Sequence, residues 1–156
     1  MNSLLRRCLV WSLLAGAVLT TVTPVAQAFG RRYHRQYYTG WTYHPQGGYH
    51  YRYCCYQPTP SYVGYRYHYV VYQPSQPQYL YYYNPYTQVF WGRSSIDPER
   101  NPGYSLLPES QRKGRIEEIP ESAFGELTKV PTIPESNDGT PLELPPAGPP
   151  AEFTRR

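Results

Sequence analysis

The sequence predicts a mainly β protein, a small single-layer antiparallel meander of about five short strands followed by a largely disordered proline-rich tail. Three observations carry that reading. Residues 49–56 and 65–72 alternate tyrosine with polar residues, the period of a strand with two distinct faces. Residues 79–93 place aromatic and β-branched runs on either side of Asn84-Pro85-Tyr86-Thr87, where Asn and Pro suit the first two positions of a tight turn. Charge and proline are split along the chain. Between Phe29 and Ser95 stand six arginines, no lysine and no acid, whereas all 11 acids follow Ile96, together with most of the 18 prolines.

Residues 1–28 read as an export leader. Arg6 and Arg7 precede an apolar run from Leu9 to Val22, Pro24 breaks it, and Ala26-Gln27-Ala28 gives a small-x-small cleavage pattern. Cleavage is expected after Ala28, leaving no membrane span and a secreted, periplasmic or cell-envelope location. The run is shorter than the roughly 20 residues a spanning helix needs.

The second segment, 29–95, is a basic tyrosine-rich module. Its leader, 29–38, is read as coil or a ragged first strand, 40–44 as a strand, and Pro45-Gln46-Gly47-Gly48 as the turn that ends it. In the next strand Tyr49, Tyr51, Tyr53 and Cys55 share one face, and His50, Arg52, Cys54 and Tyr56 the other. Pairing Tyr51 with Tyr67 would set Arg52 against Arg66. A register shifted by two residues, with Arg52 opposite His68, avoids that repulsion and is the expectation. Val63, Val70, Val71, Leu80 and Val89 are the only large aliphatics here. Tyrosine must therefore supply most of the buried area, with hydroxyls at the water boundary.

The third segment, 96–156, is read as an acidic flexible tail, with short helical turns at 108–113 and 116–124. A short element recurs in it as Leu107-Pro108-Glu109-Ser110, Ile119-Pro120-Glu121-Ser122 and Ile133-Pro134-Glu135-Ser136. Proline at a first helical position with an acid beside it suits a turn start. Apolar contact points are expected at Leu106, Leu107, Ile116, Ile119 and Phe124.

The sheet segment has no carboxylate to serve as general acid or triad orienter, so the expectation is a protein that is not an enzyme and needs no cofactor. Arginine among aromatics also suits single-stranded nucleic acid, a partner that export makes improbable. Flat rings and adaptable polar residues suit a contact surface instead, with Trp41, Tyr51, Tyr67, Tyr82, Trp91 and Arg93 as its candidate residues. The partner expected is an envelope polymer, another protein or a second copy. Cys54 and Cys55 are candidates for a disulfide, more easily between chains than with each other, since neighbours on a strand point apart. His50 and His68 are candidate metal ligands in an alternative reading, although no metal-binding spacing is present.

Two resemblances attach to these residues. Tyr82-Tyr83-Asn84 with Thr87 resembles the second half of a WW domain, which would imply proline-peptide recognition, but Trp91 follows Thr87 one residue too soon and no closing proline follows it. The run YYYNP at 81–85, WGR at 91–93, GYSLL at 103–107, IPESAF at 119–124 and DGTP at 138–141 resembles the small exported tyrosine-rich proteins of planctomycete bacteria. That resemblance implies export and one shared module, and brings no activity, cofactor or catalytic residue with it.

Overall fold

The computed structural model describes residues 34–146 and 148–149. The expected leader and its cleavage site lie outside them. Seven strands form one antiparallel sheet: β1 (Gln36–Tyr38), β2 (Thr42–His44), β3 (Tyr49–Tyr56), β4 (Arg66–Tyr72), β5 (Tyr79–Asn84), β6 (Val89–Ser95) and β7 (Tyr104–Leu106). From β3 to β7 each strand pairs with the next, which is the expected meander. The edge beside β3 is shared by β1 and β2, lying end to end. Between them the strand carries one residue more than its partner. There the Thr39 hydroxyl accepts the Tyr53 amide at 2.9 Å, replacing a ladder bond.

Turn chemistry explains the hairpins. Gly48 takes φ 65° after β2, and Asn84 Oδ1 accepts the amides of Tyr86 and Thr87 at 2.8 and 3.3 Å. Between β5 and β6 the pairing slips by one residue, from Tyr82↔Gly92 to Tyr83↔Phe90, so Trp91 is the extra residue of a bulge. Gly92 lies so close to β7 that an added Cβ would stand 2.8 Å from the Ser105 carbonyl oxygen.

The β3–β4 register differs from the expectation by two further residues. Arg52 faces Val70, and His68 faces Cys54. This register keeps the alternation of faces and sets no charge or histidine opposite another, so it relieves the repulsion more completely than the shift expected.

The largest departure is the second half of the chain. It has little regular structure, as its composition implies, with β7 and three single 3-10 turns at Glu109–Gln111, Ile116–Glu118 and Glu121–Ala123. Yet several of its apolar residues, Leu107, Ile116, Ile119, Ile133 and Leu142, are buried. Leu107, Ile116, Ile119, Ala123 and Phe124 pack against Val71, Tyr81 and Phe90 on one face of the sheet. The chain then passes the edge, where Tyr104 pairs with Lys129, and Leu142 and Leu144 pack with Val70, Tyr72 and Tyr82 on the opposite face. A short hairpin bridged at Thr132 and Pro141 makes that return. The sheet is thus a single layer of strands wrapped on both faces by its own tail, and the bare meander of the sequence reading is corrected.

The recurring tetrapeptide explains how so polar a segment docks. Its first residue is the anchor each time, with Leu107, Ile119 and Ile133 all buried. The Pro-Glu pair turns the chain back: Gln111 donates to Pro108, Ala123 to Pro120 and Ser136 to Ile133. Two of its glutamates meet sheet arginines, Glu121 with Arg93 and Glu135 with Arg66, and Asp138 pairs with Arg35. The cationic and anionic halves therefore attract each other within one molecule.

Candidate functional site: an open tyrosine face

Strand alternation gives the sheet two unlike faces. His50, Arg52, Cys54 and Tyr56 of β3, with His68, Val70 and Tyr72 of β4 and Leu80 and Tyr82 of β5, lie on a face that the returning tail covers, and all are buried. The face that looks more polar in the sequence is the closed one. Tyr49, Tyr51 and Tyr53 of β3, Tyr69 of β4 and Tyr83 of β5 lie on the other and remain half-buried, while Tyr67 is exposed.

On this open face the rings form a continuous ladder. Tyr53 stands 5.0 Å from Tyr67 and 5.1 Å from Tyr69, Tyr51 is 5.6 Å from Tyr69, and Tyr69 is 6.2 Å from Tyr83. Two of these four contacts meet edge to face, the arrangement the ring quadrupole favours. His44 from β2 stacks flat on Tyr49 at 4.8 Å and prolongs the row. Tyr86 in the β5–β6 turn closes the other end, 6.0 Å from Tyr67.

Beside the ladder runs a trough of about 480 Å³, with His44, Tyr49, Tyr51, Tyr69, Tyr83 and Phe90 along one side. Its other wall is the tail segment 114–117, where Arg115 lies 3.7 Å from Glu117. Burial raises the Tyr49 phenol, and burial followed by Tyr53 and Tyr67 pushes Tyr69 up to about 12. Both phenols are therefore neutral at physiological pH and can donate as well as accept. The arrangement supplies flat apolar surface with hydroxyls, an amide and one ion pair at the rim, and no nucleophile–base pair.

The six candidate surface residues are divided by the fold. Tyr51 and Tyr67 stand on the open face. Tyr82 is wholly buried on the covered face, 4.9 Å from Trp91. Trp91 donates its indole N–H to His68 Nδ1 at 3.1 Å, and Trp41 lies 4.6 Å from the Arg52 guanidinium. Arg93 grips Glu121 with two hydrogen bonds, 2.8 and 2.6 Å, and is held between the rings of Tyr79 and Phe124. It fastens the tail to the sheet. The ladder members Tyr49, Tyr53, Tyr69 and Tyr83 were not singled out, although the alternation that placed Tyr51 also places Tyr49 and Tyr53.

The candidate cysteines and histidines are built into the sheet. Cys54 and Cys55 are free thiols on opposite faces and both are buried, with burial pushing Cys54 up to about 12. Because His68 Nδ1 accepts from Trp91, its Nε2 carries the proton and donates to the Tyr56 hydroxyl at 3.2 Å. His50 lies opposite Tyr72, and His68 opposite Cys54, so the two histidines are set well apart along the sheet. Among the described residues no three His, Cys, Asp or Glu side chains gather as a metal site, and no helix is long and apolar enough to cross a membrane. Comparison with known families, with curated proteins and with solved structures returned no match to this chain.

Proposed function

We propose that this is an exported, non-enzymatic contact module of the cell envelope or extracellular matrix that holds its partner on the open tyrosine face. The observation that carries the reading is the ladder itself: a row of half-buried rings with a trough beside it, on a protein whose tail buries most of the opposite face. The tail is long enough to dock on both faces and leaves this strip bare. Tyrosine offers large contact area at small cost in side-chain freedom, and its neutral hydroxyl can bond a polymer's oxygens or a partner's backbone. An envelope polymer, a protein or a second copy of the chain would each fit such a surface.

Purified chain lacking residues 1–28 is expected to sediment with isolated envelope polymer or to self-associate. Tyr51→Ser, Tyr67→Ser and Tyr69→Ser together are expected to abolish that behaviour while the circular dichroism spectrum is retained. Sedimentation unchanged in the triple variant would overturn the assignment to this face.

A further inference from the structure

The covered face presents a second recognition chemistry, distinct from the tyrosine ladder. The tail segment 140–146, Thr-Pro-Leu-Glu-Leu-Pro-Pro, crosses it without joining the sheet as a strand. Pro141, Pro145 and Pro146 have no amide N–H, so most of the segment's hydrogen bonding must be accepted at its carbonyls. Side chains supply the donors. Gln36 Nε2 reaches the Pro141 carbonyl at 3.0 Å. The hydroxyls of Tyr38 and Tyr104 converge on the Glu143 carbonyl at 2.7 and 2.6 Å. Arg52 Nη2 donates to the Pro146 carbonyl at 3.0 Å. The Glu143 amide, one of the few the segment has, donates to Gln36 Oε1 at 3.0 Å. Between these polar contacts Leu142 and Pro145 are buried.

Aromatic hydroxyls and planar side chains that read the carbonyls of an extended proline-rich segment, with apolar residues seated between, are the working parts of a proline-peptide receptor. We propose that the covered face is such a receptor, filled in cis by residues 140–146, and that the same segment of a second copy can take its place. The Ile133 and Leu142 amides also donate to the Thr140 and Pro131 carbonyls within the hairpin, at 2.9 and 2.8 Å, but every side-chain donor named stands on β1, β3 or β7, so the side-chain recognition would serve a segment of a second copy equally well. The connection is short and its tip, 137–139, is exposed, with Gly139 at φ 73°. Exchange of an identical element between copies is a low-cost route to association. In the isolated molecule the tethered segment wins because its effective concentration is in the mM range.

The test uses the full chain with residues 1–28 removed and a fluorescein-labelled synthetic peptide of residues 138–149. Leu142→Asp is designed to free the groove in an otherwise complete chain. The peptide is expected to bind this variant at least tenfold more tightly than the unmodified protein, and Gln36→Ala with Tyr38→Phe added to the variant is expected to remove the gain. In a second arm, a protease site is inserted at 137–139 and cut after folding. The released strap is expected to stay bound and then to be displaced by labelled peptide, which keeps the proposal testable if Leu142→Asp fails to fold. Equal binding of a scrambled peptide, or a cleaved strap that peptide excess cannot displace, would overturn it. Neither outcome bears on the tyrosine ladder, which lies on the opposite face.

Discussion

Both faces of the sheet are lined with tyrosine, and they use it in opposite ways. On the covered face the rings of Tyr56, Tyr82 and Tyr104 are sunk out of solvent, and each hydroxyl has a partner: His68 Nε2, Ser94 Oγ and the Glu143 carbonyl. On the open face the rings of Tyr51, Tyr53 and Tyr69 lean on one another at the surface. A phenol can be buried only where something answers its hydroxyl. On the covered side the sheet's own His68 and Ser94 give that answer to Tyr56 and Tyr82, and the tail gives it to Tyr104 through Glu143. Covered tyrosines hold the fold together, and uncovered ones stay open to solvent.

The sharpest way to break the comparison is to truncate one ring from each face. Tyr104→Ala removes a fully buried ring packed on Tyr82 and Trp91, together with the strap's Glu143 contact, and is expected to cost about 3–5 kcal/mol in denaturant unfolding. Tyr51→Ala on the open face should cost about 1 kcal/mol or less. Similar losses at the two positions would mean that the faces are not distinct.

Acid should separate the faces next. Burial, reinforced by Arg66, lowers the His68 imidazole from 6.5 to about 4. The unfolded chain takes up that proton near pH 6.5 and the folded one only near 4, so stability falls as pH drops through this window, by on the order of 3 kcal/mol in all. Protonation also adds a hydrogen at Nδ1 and breaks the Trp91 bond. His68→Gln is expected to flatten the stability profile between pH 6.5 and 4. Below that window Asp138 adds a further loss, because the Ser136 hydroxyl and Arg35 hold its carboxyl below the usual carboxylate range. At the other extreme burial raises Tyr38, Tyr104 and Cys54, so the covered face should loosen as pH climbs beyond the ordinary phenol range.

What the sequence revealed follows the same division. Strands β3 to β6 and their turns were legible because period-two alternation and Asn-Pro or Gly-Gly chemistry act over a few residues. The distinction between faces was legible too, but its sign was not. The cover over Arg52 reaches it from Pro146, 94 positions downstream, and His68 is closed in by Tyr56 and Trp91. Contact points at Leu107, Ile116, Ile119 and Phe124 were visible in the tail, but its wrapping of both faces was not, because anchors such as Ile133 and Leu142 are too widely spaced to show any helix or strand period. Its recurring tetrapeptide was visible without its purpose. Four of the five short runs quoted from the sequence gain a physical meaning here. WGR meets IPESAF through Arg93 and Glu121, GYSLL forms β7, and the DGTP acid meets Arg35, so these are the points that fasten tail to sheet.

A smaller effect tests that fastening. Arg93 is buried between two rings while Glu121 is largely exposed, so Arg93→Ala forfeits packing that Glu121→Gln leaves in place. About 2 kcal/mol is expected for the first and about 1 kcal/mol or less for the second. Both should increase amide exchange at 121–124 before they affect β3 and β4. Uniform exchange across the sheet would show that the clasp is not a local device.

The smallest expected change in stability falls at the centre of the open face. Tyr69 sits at the centre of the ladder, touching Tyr51, Tyr53, Tyr67 and Tyr83, yet one side of its ring faces solvent. Tyr69→Phe keeps the ring and removes only the hydroxyl, and should leave stability within about 0.5 kcal/mol. If partners are held by ring surface alone, the variant is expected to sediment with envelope polymer to the same extent as the parent. If the neutral hydroxyls bond the partner, sedimentation will weaken although nothing in the fold has moved. Comparing Tyr69→Phe with Tyr69→Leu, which keeps apolar volume without the flat ring, then tells stacking from simple burial of apolar area. An unchanged result in both would remove Tyr69, and with it the middle of the ladder, from the contact surface.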